Sequence, residues 1–271
     1  MEYRTQKDIE RTRRTRRRRI LPAIMFGLGL LLVAFSTFQL AQGIREDAQA
    51  AQEYDALRDL GASIWRPSEI QAGTLPGEAE NANELPRPER PEEAMRELLA
   101  INSDFIGWIR IPGTAVDYPV VRGGDNVRYL YTTFGGESNP AGTIFMDYRA
   151  AQGFHTPTTI LYGHNMRNDT MFSSLLRYQD PDFLARYPEI NIMTLDGVRY
   201  TYRIFRVWET DAWDPVNHLD FSDADAAAAF FAPWVNDASR VLVLSTCIDD
   251  ISWDVRFLVA AVLVEDGTAT A

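Results

Sequence analysis

Hydrophobic and polar positions divide the chain sharply. Residues 20–40 (ILPAIMFGLGLLLVAFSTFQL) hold 21 positions without a charge, and the next charge is Arg45. A helix needs about 20 apolar residues to cross the hydrocarbon core of a bilayer, so this segment predicts a transmembrane helix. Residues 42–64 are rich in Ala, Glu and Gln with no Pro, which predicts a helix continuing from it. From 66 to 91 the apolar pattern stops, and Pro67, Pro76, Pro86, Pro88 and Pro91 stand among Glu, Asn and Gly, as in an extended tether. A short helix over 91–100 follows.

Beyond it the period changes to that of β-structure. Residues 105–111, 116–121, 142–148, 158–163, 189–195, 198–208, 240–246 and 254–264 read as strands, being rich in β-branched and aromatic residues and bounded by turn residues. Pro112-Gly113 marks a turn, and Asp196-Gly197 between two runs is a hairpin signal. Two helices are expected among them. One starts near Thr170 and runs through Tyr178, capped by Asn168 or Asp169; the other lies in 222–236, where Ser222 and Asp225 resemble a capping box. Eight short strands, few helices and no internal repeat predict a mainly β fold, an eight-stranded closed or nearly closed barrel with peripheral helices.

Charge adds a direction. Residues 1–19 hold nine basic and three acidic residues, while the rest of the chain holds 18 basic and 35 acidic ones. In isolation the arginine run suggests RNA binding, but the acidic body argues against a nucleic-acid partner and the adjacent span gives a simpler account. Cytoplasmic flanks of membrane spans carry the excess of Lys and Arg, so residues 1–19 are expected inside and the body outside. A cleaved signal peptide has an apolar region of about 7–15 residues with a small-residue site close behind; here the run is longer, and Ala48 to Ala50 lies well past its end. The expected organisation is a cytoplasmic head (1–19), a single-pass signal anchor (20–40), a helix and Pro-rich linker (41–91) and an extracytoplasmic domain (92–271).

Cys247 ends an apolar strand, RVLVLSTC, and precedes a polar loop. A lone strand cysteine is ordinarily a small core hydrophobe. An extracytoplasmic protein, however, has little reason to keep a free thiol unless it reacts, and strand ends meet clefts. A thiol nucleophile needs a base or an electropositive neighbour. His164 ends another buried-looking strand, TTILYGH, whereas His155 and His218 lie in polar loops. His164 is then either the partner of Cys247 or a structural strand-end residue. Arg256, nine residues after Cys247, comes beside it if the flanking strands pair. There it either donates to a developing oxyanion or pairs with an acidic neighbour.

Around these residues the chain resembles a class B sortase. Leu244-Ser245-Thr246-Cys247 resembles the family's TLxTC signature, with Val243 where Thr usually stands. Ile160-Leu161-Tyr162-Gly163-His164-Asn165-Met166, followed by Thr170-Met171-Phe172, resembles the histidine segment. Gly142-Thr143-Ile144-Phe145-Met146-Asp147-Tyr148-Arg149 and Val255-Arg256-Phe257 resemble two further blocks, and the stretch 209–239 resembles the class B insertion. The resemblance implies a sortase-type barrel and a membrane-anchored cysteine transpeptidase of the cell surface. Such an enzyme cleaves a C-terminal sorting signal of secreted proteins, of the NPxTN kind in class B, after Thr. It then passes the acyl group to an amine of a cell-wall precursor or a pilin lysine. It also implies Cys247 as nucleophile, His164 as general acid and Arg256 as holder of the oxyanion, with Ser245 at the substrate and Asn126 and Tyr129 (in the run to Tyr131) on the groove floor. One cysteine excludes a disulfide framework and a Cys-rich zinc site, nothing resembles the calcium site of class A, and no metal or cofactor is expected. The competing readings are a cysteine peptidase with water as acceptor and an anchored binding barrel without catalysis.

Overall fold

The computed structural model describes residues 6–65, 91–211, 213–248 and 254–267, with side chains from Met25 onward. The Pro-rich tether, 66–90, thus lies outside the described residues, as do 249–253 after the cysteine strand. The chain divides into a unit ending at Ala48 and a larger one beginning at Gln49.

In the first unit the expected anchor is one continuous helix with the segment after it, α1 (Gln6–Gly61). Its apolar side chains, among them Phe26, Leu31 and Phe35, are exposed, and from Met25 the helix is long and apolar enough to cross a membrane.

The last three turns of α1 belong to the second unit. There Ala50, Tyr54 and Leu57 recur at helical spacing and are buried. The Tyr54 hydroxyl donates to the Gly142 carbonyl at 2.5 Å, and Arg58 donates to the Tyr118 hydroxyl at 2.7 Å. α2 (Pro91–Ile101) follows, burying Ala94, Met95 and Leu98 on one face.

The expected eight strands are β1 (Phe105–Arg110), β2 (Asp117–Val121), β3 (Ile144–Met146), β4 (Thr158–Tyr162), β5 (Glu189–Thr194), β6 (Arg199–Asp211), β7 (Val241–Cys247) and β8 (Val255–Gly267). They close into a barrel in the order β1-β2-β3-β4-β7-β8-β6-β5, the closed eight-stranded form that the strand pattern predicts. Closure leaves no open sheet edge, and at eight strands the interior is just wide enough for side chains to fill. Side chains on both faces of the sheet are covered, and Trp108, Tyr118, Ile144, Ile160, Leu242, Leu244 and Val259 are among the fully buried residues. Six residues of β7 in succession are buried, as expected of a strand covered on both faces. Asp196-Gly197 does turn the β5–β6 hairpin, with Gly197 at φ +77°. The long β6–β8 ladder carries two register shifts, between Thr201 and Tyr202 and between Ile204 and Arg206, which bend the strands as barrel closure requires.

Three local expectations are corrected. The segment after Thr170 is not an α-helix but a run of 3₁₀ turns, Ser173–Gln179, with no side-chain cap. Asp169 and Met171 take φ of 58° and 55°, a left-handed conformation that breaks the helical path; Asn168 instead accepts from its neighbour Thr170. The helix in the insertion is shorter, α4 (Ala224–Phe231), after the one-turn α3 (Pro181–Arg186). Its cap is Asp223, which accepts from the Ala226 N–H at 2.9 Å, while Ser222 donates to Asp220 instead. β3 is less than half its expected length, three residues where 142–148 is expected.

Candidate active site

Two pairings bring the sequence's chemistry together. β4 and β7 are parallel neighbours with Tyr162 opposite Ser245, so their C-terminal ends reach the same mouth of the barrel. The Gly163 N–H extends this contact to the Ser245 carbonyl at 3.2 Å, and His164 follows immediately beyond. On the other side β8 runs antiparallel to β7 with Arg256 directly opposite Cys247. The Arg256 Nη1 donates to Cys247 Sγ, a contact that suits an anionic sulfur because the guanidinium never loses its charge.

His164 is held from a third element. Its Nε2 lies 2.8 Å from the Leu130 carbonyl oxygen. A carbonyl only accepts, so the proton resides on Nε2, and Nδ1 is the nitrogen free to exchange one. Among the described residues no hydrogen bond joins His164 to Cys247. The two segments are tied nevertheless, since Asn165 Nδ2 donates to the carbonyl of Ile248, the residue after the cysteine, at 2.8 Å. The Phe172 N–H donates to the His164 carbonyl at 2.9 Å. Gly163 lets this turn pack: a Cβ there would overlap Ile144 Cδ1 and the Phe172 ring. We expect Gly163→Ala to destabilise the domain by about 1–3 kcal/mol, the usual range for overpacking. Thermal melting checks this, and an unchanged midpoint would show that the turn relaxes freely.

Cys247, His164 and Arg256 all line one cavity of about 300 Å³. Ser245, two residues before the cysteine and on the same strand face, lines it as well, as does Asn126. Tyr129 does not. It is buried below the loop with its hydroxyl donating to Asp104 at 2.7 Å, and burial followed by that hydrogen bond pushes its phenol up to about 12. Its neighbour Leu130 takes the place on the wall.

Leu130 lies within the run 129–131 expected at the groove, whereas sequence reasoning missed Phe145, Tyr162 and Asn217 on that wall. Tyr162 carried a readable signal, standing two residues before His164. Asn217 carried none, because it lies in the irregular insertion. Behind the wall sits Asp147, fully buried and accepting from Asn126, Tyr162 and Arg149. Burial pushes its carboxyl up, but the Arg149 hydrogen bonds and charge outweigh this and hold it below the usual carboxylate range. The Tyr162 phenol is raised by burial and then by the Asp147 charge, so it stays a protonated donor.

Comparison with known proteins agrees with this arrangement. The Sortase domain family model matches residues 109–264. Sortase B of Staphylococcus aureus is 27% identical over 88% of this chain and 93% of its own length. Sortase B of Listeria monocytogenes is 39% identical over 44% of this chain, so the match spans about half (48%) of that relative's length. Among solved structures, a Staphylococcus aureus sortase B–substrate complex superposes with a TM-score of 0.65 at 27% identity, covering 82% of this chain and 99% of the other. A Streptococcus pyogenes class B sortase involved in pilus biogenesis gives 0.55 at 29% identity, covering 62% and 97%. With the domain matched over more than half the chain, and relatives of one class on both counts, this chain belongs to the sortase family, in its class B branch.

Proposed function

We propose that the chain is a membrane-anchored cysteine transpeptidase that cleaves a C-terminal sorting signal of secreted proteins and joins the new acyl end to an amine. The observation that carries this reading is the meeting of Cys247, Arg256 and His164 in one cavity at the barrel mouth. The Cys247 thiolate attacks the carbonyl carbon of the signal's Thr, and the carbonyl oxygen becomes an oxyanion. Arg256, already aimed at the sulfur, donates to that oxygen as charge builds there. His164 gives the proton on Nδ1 to the departing amine, the C–N bond breaks, and a thioacyl enzyme remains. The acceptor amine attacks this thioester, His164 takes back a proton, and the thiolate leaves. What supports the acid assignment is the hydrogen bonding of His164, committed to Leu130 and not to Cys247. Ser245 and Asn126, on the cavity wall, would contact the signal, of the NPxTN kind if it follows the class.

The acceptor would be a cell-wall precursor or a pilin lysine. Products formed from a signal peptide with and without an added amine, such as oligoglycine, test the transfer: a peptide–amine adduct is expected, whereas hydrolysis alone in both would make the chain a peptidase. For the anchor, the basic head and the exposed apolar stretch of α1 support an orientation with 41–271 outside the cell. Protease added to intact wall-less cells should then degrade the barrel. Digestion of residues 1–19 with the barrel protected would reverse that orientation.

Arg256 is expected to tolerate no replacement. Lysine keeps the charge but has no planar fork to serve sulfur and oxyanion in turn. Turnover of a sorting peptide should fall at least roughly 10²-fold in both Arg256→Lys and Arg256→Ala, the range for loss of an oxyanion donor. Near-wild-type rates in the Lys variant would assign the oxyanion to backbone N–H groups.

A further inference from the structure

Asp147 follows β3, and its side chain is completely buried. Its Oδ2 accepts from Asn126 Nδ2 at 2.9 Å, the Tyr162 hydroxyl at 2.9 Å and Arg149 at 2.7 Å, while Oδ1 accepts from the Arg149 backbone N–H and Nε. Arg149 spends its remaining hydrogen bond on the Asn217 carbonyl at 2.8 Å and lays its guanidinium over the Phe221 ring. Asn126, Tyr162 and Asn217 come from three separate parts of the chain, and all three line the cavity that holds Cys247.

Asp147 is buried but the Arg149 side chain is 36% exposed, and such a half-exposed ion pair is weak support for stability. What this pair does that apolar packing could not is aim polar side chains. We propose that Asp147, clamped by Arg149, is a positioning residue for the substrate groove: it fixes the orientation of Asn126 and Tyr162 directly, and of the Asn217 segment through Arg149. The inference rests on the cavity being the sorting-signal groove, as proposed above.

Asp147→Asn is the informative change because it is isosteric. An amide has one oxygen and one NH₂, so whichever way it turns, a donor faces donors on one side. Asn126 and Tyr162, or the Arg149 fork, must move. The test uses the full chain in detergent micelles with Asn-Pro-Xaa-Thr-Asn peptides, alongside alkylation of Cys247 by iodoacetamide, which is too small to need the groove. We expect KM to rise about tenfold, within the range for a lost hydrogen bond to a charged group, with alkylation within about twofold of wild type. In the Asn126→Ala background the same change should raise KM markedly less, as for residues acting through one another. Arg149→Lys keeps the charge balance but cannot bridge both carboxylate oxygens and the Asn217 carbonyl; it serves as a second variant if Asp147→Asn does not fold, and the same rise in KM is expected.

An unchanged KM overturns the proposal. So does a parallel fall of turnover, alkylation and melting temperature in both variants, which would make the pair purely structural. If the wild type processes no sorting peptide, the function proposed above fails instead. The positioning is then judged by the side-chain amide resonances of Asn126, which must shift in Asp147→Asn and Arg149→Lys; resonances that stay in place overturn it.

Discussion

Cys247→Ala is expected to lose turnover of a sorting peptide by about 10⁴-fold or more, since no other group in the cavity can form the thioacyl bond. The fold should survive. Cys247 is half-buried at the end of β7, the change removes one sulfur, and the ladder to β8 depends on the backbone and not on the side chain. Arg256 loses its sulfur acceptor but stands at the cavity mouth, where water replaces it, so the melting midpoint should move by no more than a degree or two. Peptide binding should persist as well, because Ser245, Asn126 and Tyr162 are untouched. The measurements are single-turnover kinetics, thermal melting and peptide affinity on the same variant. Turnover near the wild-type rate would remove the transpeptidase reading altogether. Loss of turnover together with loss of the fold would show Cys247 to be a packing residue.

The reasons that the site was legible in the sequence are topological. Strands announce themselves by composition and period, and seven of the eight expected runs differ from the observed strands by only a few residues at their ends. Cys247 closes an apolar strand and His164 follows another by two residues, and two parallel neighbouring strands end at the same mouth of a barrel. Arg256 lies as many residues beyond the cysteine as a loop and a return strand require, so that antiparallel pairing sets it opposite. What was hidden depends on contacts with no sequence period. The turn at Asp169 and Met171 reads as a helix start until the fold imposes left-handed φ on both, and a buried hydrogen bond from Met171 to the Tyr118 hydroxyl helps hold it. Tyr129 and Leu130 are adjacent in a 3₁₀ turn, and only packing decides that the first faces Asp104 and the second the cavity. Asp147 stood inside a block of family resemblance, yet its use as a hub becomes visible only when Asn126, Arg149 and Tyr162 converge on it.

His164→Ala is expected to separate two reactions that a single rate would merge. Peptide turnover should fall by roughly 10²–10⁴-fold, the usual worth of a positioned proton donor. Alkylation of Cys247 by a small reagent should change little, because that reaction expels no amine and needs no acid. The geometry is the ground for this split. Nε2 is committed to the Leu130 carbonyl, Cys247 has its donor in Arg256, and no hydrogen bond links His164 to the sulfur. An activating base would instead share a proton with the thiol, and its removal would slow both reactions together. The pH profile of the wild type should be bell-shaped under either mechanism, since it reports the pair and not one residue. Only the alkylation rate of the variant against pH separates them. An alkylation rate that stays flat while turnover collapses keeps His164 as the acid. A parallel collapse makes it the base, and the resting contact between Arg256 and Cys247 would then be insufficient to sustain a reactive sulfur.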